Sequence, residues 1–202
     1  MKKSTQKNGL KVPRLFSHAG TNPLDEVQYE KRDCSIKRPD GSVVFEMKGF
    51  SVPRDWSLNA GDIMISKYAR KAGIPQTDEK GLGPERSARQ VVGRMSGCWR
   101  WWGEEYGYFA SAEDAQAYED EMNAMLIRQM AAPNSPQWFN TGLHTAYGIT
   151  GPSQGHYYPD PVTGEIRLSE DAYTHPQPHA CFIQSVSDDM VNEGGIMDLW
   201  IR

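Results

Sequence analysis

The chain has 202 residues, of which 38% are hydrophobic, and 22 Lys and Arg against 26 Asp and Glu give a formal net charge of −4. This size suits one soluble domain or somewhat more, and the mildly acidic balance supplies no positive field to hold the phosphates of nucleic acid. The apolar runs are far shorter than the roughly 20 residues that cross a bilayer, and no apolar signal-peptide block begins the chain. We therefore predict a cytoplasmic protein that binds neither membrane nor nucleic acid.

The N-terminal part is predicted to hold a tail and a hairpin. Residues 1–20 contain several lysines and few apolar residues, so we expect a flexible basic tail that cannot offset its ordering entropy by burial. Residues 21–55 are expected to form a β-hairpin appendage, because Pro39, Asp40 and Gly41 supply turn geometry between two β-favouring arms.

Residues 56–135 carry the periodicity of an N-terminal helical domain. A first helix is expected after the capping residue Ser57, and a second is expected to begin at Pro84, where proline is favoured. The third has Ser111 in a capping arrangement, and its apolar residues recur every three or four positions until Pro133.

Beyond this domain the composition changes to prolines, glycines and aromatic residues. Residues 136–176 are predicted to form a loop and hairpin insertion, with a hairpin turn near residues 162–164. A stiff Pro-x-Pro lead-in then precedes a β-favouring run over residues 180–186. The last residues read as a helix that lacks an end signal, which suggests a chain that stops within a domain.

Three cysteines, Cys34, Cys98 and Cys181, are too far apart for a CxxC pair and too few for a disulfide framework. Cys98 lies on the apolar face of its predicted helix and Cys34 in a hairpin arm, so both are interpreted as structural. Cys181 is either a small buried hydrophobe or a redox or nucleophilic thiol. The local pattern leaves both interpretations open.

His175, His179 and Cys181 form an H-x3-H-x-C group, which permits the hypothesis of a non-catalytic, zinc-binding interaction module. Two prolines prevent the helix that would align these side chains, and a fourth ligand is missing. We therefore predict no metal site.

Two polar segments have both a plain and a functional interpretation. Ser135 lies in an Asn-Ser-Pro sequence that forms either an ordinary turn or an anion contact. Asp188 and Asp189 are either helix caps or carboxylates that meet ribose hydroxyls.

Two sequence segments favour the functional interpretations of these residues over the plain ones. They are R-Q-M-A-A-P-N-S-P-Q-W-F-N-T-G over residues 128–142 and Q-P-H-A-C-F-I-Q-S-V over residues 177–186, the second followed by Asp188, Asp189 and G-G-I-M-D over residues 194–198. This pattern resembles the N-terminal portion of the vitamin B12 (adenosylcobalamin)-dependent class II ribonucleotide reductase family. A weaker likeness extends back to the first hairpin.

The resemblance implies an α+β fragment, in which an N-terminal mainly helical domain with small hairpins leads into the first strand of a ten-stranded α/β barrel. Residues 177–202 would be the start of that barrel. It implies that Cys181 is one of two redox-active cysteines. It also implies that Ser135 contacts the substrate diphosphate, that the backbone of Ala180 and Cys181 borders the ribose, and that Asp188 lies near the site of a deoxynucleotide or ATP effector.

The implied chemistry starts from adenosylcobalamin homolysis, which makes a thiyl radical on another cysteine. That radical removes the 3′-hydrogen of the ribonucleotide, the 2′-hydroxyl leaves as water, and the redox pair supplies the electrons. The family's radical cysteine, the partner redox cysteine and the C-terminal cysteine shuttle would lie beyond Arg202. The chain alone is therefore expected to be inactive.

The resemblance further implies several partners: the remaining reductase barrel, a thioredoxin-type reductant and a second copy in a homodimer. Adenosylcobalamin would be bound mainly by the missing part of the chain. Two questions stay open at this point. The substrate is either a di- or a triphosphate, and an alternative is the large subunit of a reductase whose radical comes from a metallosubunit.

Overall fold

A computed structural model of the chain describes residues 9–76, 81–181 and 183–201. Its elements in chain order are β1 (Tyr29–Lys37), β2 (Val43–Pro53), α1 (Leu58–Ile63), β3 (Ile74–Pro75), β4 (Leu82–Gly83), α2 (Ala88–Glu105), α3 (Ala112–Ile127), α4 (Ser135–Asn140), α5 (Leu143–Tyr147), β5 (Tyr157–Pro159), β6 (Ile166–Leu168) and α6 (Ile196–Ile201). A 3-10 turn (Pro23–Asp25) precedes β1, and a π-helical turn (Met64–Tyr68) continues α1. The described part is an α+β fragment with small antiparallel hairpins, as predicted.

The first hairpin confirms the predicted turn. Asp40 accepts hydrogen bonds at its Oδ1 atom from the backbone N and the Oγ of Ser42, and Gly41 adopts a φ of 85°. β1 and β2 pair in antiparallel register, and β2 ends on the fully buried side chains of Phe50 and Val52. Its buried face therefore joins the core that the helices cover.

The two long helices supply the other side of that core. Ser87 caps α2 by accepting from the N of Gln90, and Ser111 caps α3 by accepting from the N of Asp114, both at 3.1 Å. Their apolar residues meet those of β2 and of the segment after it, where Trp56 Nε1 donates to the backbone oxygen of Ile127 at 2.8 Å. The backbone N of Ser51 in β2 also donates to the backbone oxygen of Arg86 at 2.9 Å, so hydrophobic burial and hydrogen bonds together hold the hairpin to the helices.

The start of α2 differs from the prediction at Pro84. The helix begins at Ala88 with Ser87 as its cap. The backbone N of Glu85 is required elsewhere, since it donates to the backbone oxygen of Arg70 at 2.8 Å. Pro84 therefore lies in an extended approach to the helix.

The end of α3 also differs from the prediction, which placed it at Pro133. The helix ends at Ile127, and Gln129 adopts a left-handed φ of 56°. Gln129 N donates to Leu126 O at 3.1 Å and Met130 N donates to Met125 O at 2.8 Å, the two bonds of a Schellman motif. Glycine usually fills this position, so the sequence lacked the usual stop signal.

Residues 9–20, expected to belong to a flexible tail, lie against the helices. Leu10 forms a parallel bridge with Phe109, and Arg14 forms an ion pair with the mostly buried Asp120 at 2.7 Å. The hydroxyl of Ser17 donates to Glu121 at 2.6 Å. Tertiary hydrogen bonds to acidic side chains of α3 order this segment, whereas residues 1–8 lie outside the described ones.

The C-terminal part departs from the expected barrel start. The predicted hairpin at residues 162–164 is present, because β5 and β6 pair in antiparallel register. Cys181 and residues 183–186 are exposed and form no strand, while Phe182 lies outside the described residues. A strand requires hydrogen bonds to a neighbouring strand, and nothing pairs with this segment in the described part. The structure thus contains no barrel continuation within those residues, although α6 confirms the predicted final helix.

Within residues 9–76, 81–181 and 183–201, none of the helices has both the length and the apolar character needed to span a membrane.

Candidate functional site

The Asn-Ser-Pro segment begins the short helix α4. Asn134 caps the helix, since its Oδ1 accepts from the N of Gln137 at 3.4 Å. Ser135 is the first helical residue, and its Oγ lies 3.3 Å from the hydroxyl oxygen of Tyr68. The turn interpretation of this segment is therefore right for Asn134, whereas the Ser135 hydroxyl bonds to another side chain.

An aromatic stack fixes the position of this hydroxyl pair. The ring of Tyr68 stacks on Trp138 with a centroid distance of 5.4 Å and an interplanar angle of 20°. Trp138 is buried, and its Nε1 donates to the backbone oxygen of Pro133 at 3.0 Å. The Tyr68 hydroxyl is consequently held by its ring, which packs against the helix that carries Ser135.

A buried arginine anchors the other end of α4. Arg94 of α2 donates from Nη1 to the backbone oxygen of Thr141 at 2.6 Å and from Nη2 to that of Trp138 at 2.7 Å. Its Nε donates to Glu85 at 2.7 Å, and both side chains of this ion pair are almost fully buried. The two bonds to backbone oxygens connect α2 to the segment that follows Ser135, and the bond to Glu85 connects it to the approach to α2.

Glu85 is itself satisfied on both oxygens. The hydroxyl of Tyr147 donates to Oε1 at 3.0 Å, and the backbone N of Arg70 donates to Oε2 at 2.8 Å. Burial and the adjacent Glu85 carboxylate both raise the pKa of Tyr147 well above its usual value, so this phenol remains a donor. The Glu85–Arg94 pair therefore joins α2, α4, α5 and the end of the π-helical turn.

An apolar cavity of about 390 Å³ lies beside the Ser135 turn. Its walls include Tyr68, Trp138, Met64, Met130 and Pro133. Flat rings and thioethers give such a cavity an affinity for an apolar or aromatic group.

The lead-in to Cys181 packs through a histidine. The ring of His175 stacks on Tyr158 with centroids 3.8 Å apart and an interplanar angle of 10°. The ring nitrogen Nε2 of His156 lies 2.5 Å from the backbone oxygen of His175. Burial lowers the pKa of His175, so the neutral ring is favoured in the fold.

The predicted site residues near the C-terminus are exposed. Ala180, Cys181 and Asp188 all lie at the surface, and within the described residues no hydrogen bond or ion pair joins them to Ser135. Asp189 forms a turn and not a cap of the final helix: its Oδ1 accepts from the backbone N of Val191 at 2.9 Å and of Asn192 at 2.8 Å, whereas α6 begins at Ile196. The structure thus places Ser135 in a packed site and leaves the other three outside it.

The other two cysteines are buried, which is the environment expected of structural thiols. Cys34 is 5% exposed and Cys98 is 2% exposed, and burial raises the pKa of both thiols. Cys181 is exposed, so it is not the small buried hydrophobe that was one of its two interpretations. Exposure of a cysteine suits a residue that exchanges electrons with other molecules.

The structure does not assemble the zinc site that was considered as an alternative. In the part of the chain that the structure describes, no three His, Cys, Asp or Glu side chains are grouped closely enough to hold a metal ion.

The described residues also do not fit adenosylcobalamin. A cleft of about 890 Å³ runs between the end of α2, the β5–β6 hairpin and the Pro-x-Pro lead-in. It is open, and it is too small to enclose a corrin together with its adenosyl group and nucleotide tail. The Nδ1 atom of His156 lacks a hydrogen-bond partner there but is buried, so it cannot reach a cobalt ion in the cleft.

Sequence reasoning missed Tyr68, Glu85 and Arg94. Arg94 carried one signal, since a charged residue stands at a core position of α2 between Val92 and Met95. A buried arginine requires a buried acceptor, but no local pattern identifies Glu85 as that acceptor. Tyr68 gave no signal, because its contact with Ser135 joins residues 67 positions apart.

Residues 30–129 match a family model described as class II vitamin B12-dependent ribonucleotide reductase. The vitamin B12-dependent ribonucleotide reductase of Bradyrhizobium diazoefficiens is 48% identical over 96% of this chain and 18% of its own length. That of Agrobacterium fabrum is 49% identical over 96% of this chain and 17% of its own length. That of Rhodopirellula baltica is 35% identical over 90% of this chain and 17% of its own length.

The chain thus spans less than a fifth of the length of these curated relatives. The first two alignments each cover 96% of this chain, so both Ser135 and Cys181 lie within the aligned part. The chain belongs to the vitamin B12-dependent class II ribonucleotide reductase family, in which it corresponds to the N-terminal portion.

Proposed function

We propose that this chain is the N-terminal part of a cytoplasmic reductase that converts ribonucleotides to deoxyribonucleotides by thiyl-radical chemistry. The observation that carries the proposal is the identity of 48% and 49% over 96% of the chain to two B12-dependent ribonucleotide reductases. These matches favour a cobalamin enzyme over the alternative of a large subunit served by a metallosubunit. The substrate is a ribonucleoside di- or triphosphate.

In this proposal Ser135 binds the diphosphate of the substrate. Its hydroxyl lies beside the Tyr68 hydroxyl, and α4 is held in place by Arg94 and by the Trp138 stack. A hydroxyl in a fixed position donates to a phosphate oxygen without a further ordering cost. The packing around Ser135 therefore supports a binding role.

Cys181 is proposed as one of the two redox-active cysteines, with its partner outside this chain. A thiyl radical on another cysteine removes the 3′-hydrogen of the ribose, and the 2′-hydroxyl leaves as water after protonation. The two redox thiols then supply two electrons and two hydrogens and close to a disulfide, so that a ribonucleotide and two thiols give a deoxyribonucleotide, water and one disulfide. The exposed thiol supports this role, since the thiol of the C-terminal shuttle has to reach the disulfide and pass it the electrons of a thioredoxin-type reductant.

The segments next to Cys181 are proposed to complete the pocket. The backbone of Ala180 and Cys181 would border the ribose, and Asp188 would lie near a deoxynucleotide or ATP effector. Ala180, Cys181 and Asp188 are all exposed, so each can contact a bound nucleotide or the remaining barrel. Residues 180–186 would become the first barrel strand once a neighbouring strand supplies hydrogen-bond partners.

Adenosylcobalamin is the proposed source of the radical, and we place its binding site mainly outside these residues because the described part does not fit it. We also propose that the full enzyme is a homodimer and that the chain alone has no turnover. The radical cysteine would come from the remaining barrel.

The test is reconstitution of this chain with the remainder of the reductase, assayed for deoxynucleotide formation with adenosylcobalamin and a dithiol. Cys181→Ser should abolish turnover, whereas Cys34→Ser should retain it, because Cys34 is buried in the core. Full turnover of the Cys181 variant would overturn the redox role. Turnover that does not depend on cobalamin would favour the metallosubunit alternative.

A further inference from the structure

The hydroxyl group of Tyr68 has no assigned role, although it lies 3.3 Å from the Oγ of Ser135. Each hydroxyl has one hydrogen and two lone pairs. The bond between them uses one of the two hydrogens, and within the described residues neither oxygen has another hydrogen-bond partner. One O–H group of the pair is therefore free to donate to a ligand.

The backbone conformation at Tyr68 is unusual. Met64–Tyr68 is a π-helical turn, closed by a hydrogen bond of 2.9 Å from the N of Ala69 to the oxygen of Met64. Such turns are rare, and they occur often at functional sites. This turn places Tyr68 between Trp138 and Phe139 of α4, with ring centroids 5.4 and 5.5 Å away.

The charges around the Tyr68 ring favour an anion. A cavity of about 300 Å³ on this side of α4 is lined by Tyr68, Lys67, Arg70 and Lys71, and no carboxylate is among its described lining residues. Arg70 also donates to the hydroxyl of Tyr173, and Lys71 to the backbone oxygen of Ile65, so Lys67 is the cation of this set without a hydrogen bond in the described residues. A ligand that carries phosphate would enter a positive field here.

We propose that Tyr68 is a second phosphate-binding residue, whose hydroxyl acts together with that of Ser135 on the terminal phosphate of the nucleotide substrate. This inference rests on the proposed role of Ser135. In the absence of substrate, the same hydroxyl holds Ser135 in a single orientation. When substrate binds, the bond between the two hydroxyls is exchanged for two bonds to the phosphate, one donated by the O–H of each residue.

The test is Tyr68→Phe in the reductase reconstituted from this chain and the remaining polypeptide, with cytidine di- and triphosphate as substrates. The phenylalanine ring keeps the stack on Trp138 and removes only the hydroxyl. We expect KM to rise about tenfold with kcat within about twofold, since a hydrogen bond to a charged group contributes about 1.5–3 kcal/mol. The urea midpoint of the isolated chain should move little, because the lost bond joins two neutral, partly exposed hydroxyls.

A matched control is Tyr118→Phe, which removes a hydroxyl from a half-buried tyrosine of α3 whose ring packs on Phe109. It should leave KM unchanged. With cytidine monophosphate, which lacks the β-phosphate, as a competitive inhibitor, the ratio of inhibition constants between Tyr68→Phe and the parent should fall towards one. A purely structural role of the hydroxyl would not depend on the phosphate in this way.

Ser135→Ala separates this inference from the proposed function. If Ser135→Ala raises KM and Tyr68→Phe does not, the role of Tyr68 is overturned while that of Ser135 stands. If neither variant raises KM, the phosphate site itself is overturned, and the inference falls with it. An assembly without any turnover in its parent form would contradict the proposed function. If the variants each raise KM and the double variant raises it by less than the product of the two effects, the hydroxyls act as a pair.

Discussion

Arg94 donates from Nε to a carboxylate oxygen of Glu85 at 2.7 Å, and the two side chains are 1% and 0% exposed. Nη1 and Nη2 each donate to a backbone oxygen, of Thr141 and Trp138 respectively, so every nitrogen of the guanidinium makes a hydrogen bond. A buried pair of this kind adds little net stability against an apolar replacement, but it is costly to break on one side. Its contribution here is to fix α4, and with it Ser135, on α2.

Arg94→Met should lower the free energy of unfolding by about 3–5 kcal/mol, because it leaves the buried carboxylate of Glu85 without its cation. Urea unfolding monitored by tryptophan fluorescence measures this loss. The control is Arg89→Met, which removes an exposed ion pair with Asp25 and should change the urea midpoint little. Equal losses of unfolding free energy in the two variants would show that burial does not determine how costly it is to break an ion pair.

The three thiols should differ in reactivity. Cys181 is exposed, whereas Cys34 and Cys98 are buried and burial raises the pKa of both thiols. At pH 7.5 a disulfide reagent such as dithiobis(nitrobenzoate) should modify one thiol at least about tenfold faster than the other two, since the thiolate is the nucleophile. Cys181→Ser should remove the fast phase and Cys34→Ser should keep it. A fast phase that survives in Cys181→Ser would contradict the assigned burial.

Stability should fall between pH 7.5 and pH 5.5 through His175. Burial lowers its pKa below the ordinary value of 6.5, so the unfolded chain binds a proton that the folded chain does not. The stabilisation is complete above the unfolded pKa and is lost as pH falls through the folded one. His175→Phe should flatten this part of the pH profile of the urea midpoint, while His18→Phe at an exposed position should not. An unchanged slope in the His175 variant would refute the assignment.

Gln129→Gly should stabilise the chain. Gln129 has a φ of 56°, where a side chain is strained and glycine is not. We expect a gain of about 0.5–1 kcal/mol after the greater freedom of glycine in the unfolded state is included. The same substitution within α3, Gln116→Gly, should lower stability, because glycine is unfavourable inside a helix. A loss in both variants would indicate that the Gln129 side chain makes a stabilising contact of its own.

Much of the local structure could be predicted because its causes are local. Asp40 and Gly41 close the first hairpin turn, and Ser57, Ser87 and Ser111 each accept a hydrogen bond from the first turn of the helix that follows. These bonds join residues only two or three positions apart. The expected start of α2 at Pro84 was wrong because a distant backbone oxygen, that of Arg70, binds the N of Glu85.

The same distinction between local patterns and contacts of distant residues applies to the candidate site. The sequence indicated Ser135, Cys181 and Asp188 through the family resemblance, and the comparisons confirm that family. It indicated nothing about Tyr68, because the hydroxyl contact depends on how the π-helical turn packs against α4. It also predicted a tail for residues 9–20, since the acidic side chains that hold them, Asp120 and Glu121, lie about a hundred positions away.

The sequence by itself determined the family, the hairpin turns and the helix caps, because these depend on residue identity and on bonds between near neighbours. The tertiary structure decided which polar groups are buried together: Glu85 with Arg94, Tyr68 with Ser135, and Ser17 with Glu121. It also decided which thiol is exposed. Burial depends on packing between distant segments, and the effect of a charge or a thiol on stability and reactivity follows from that burial.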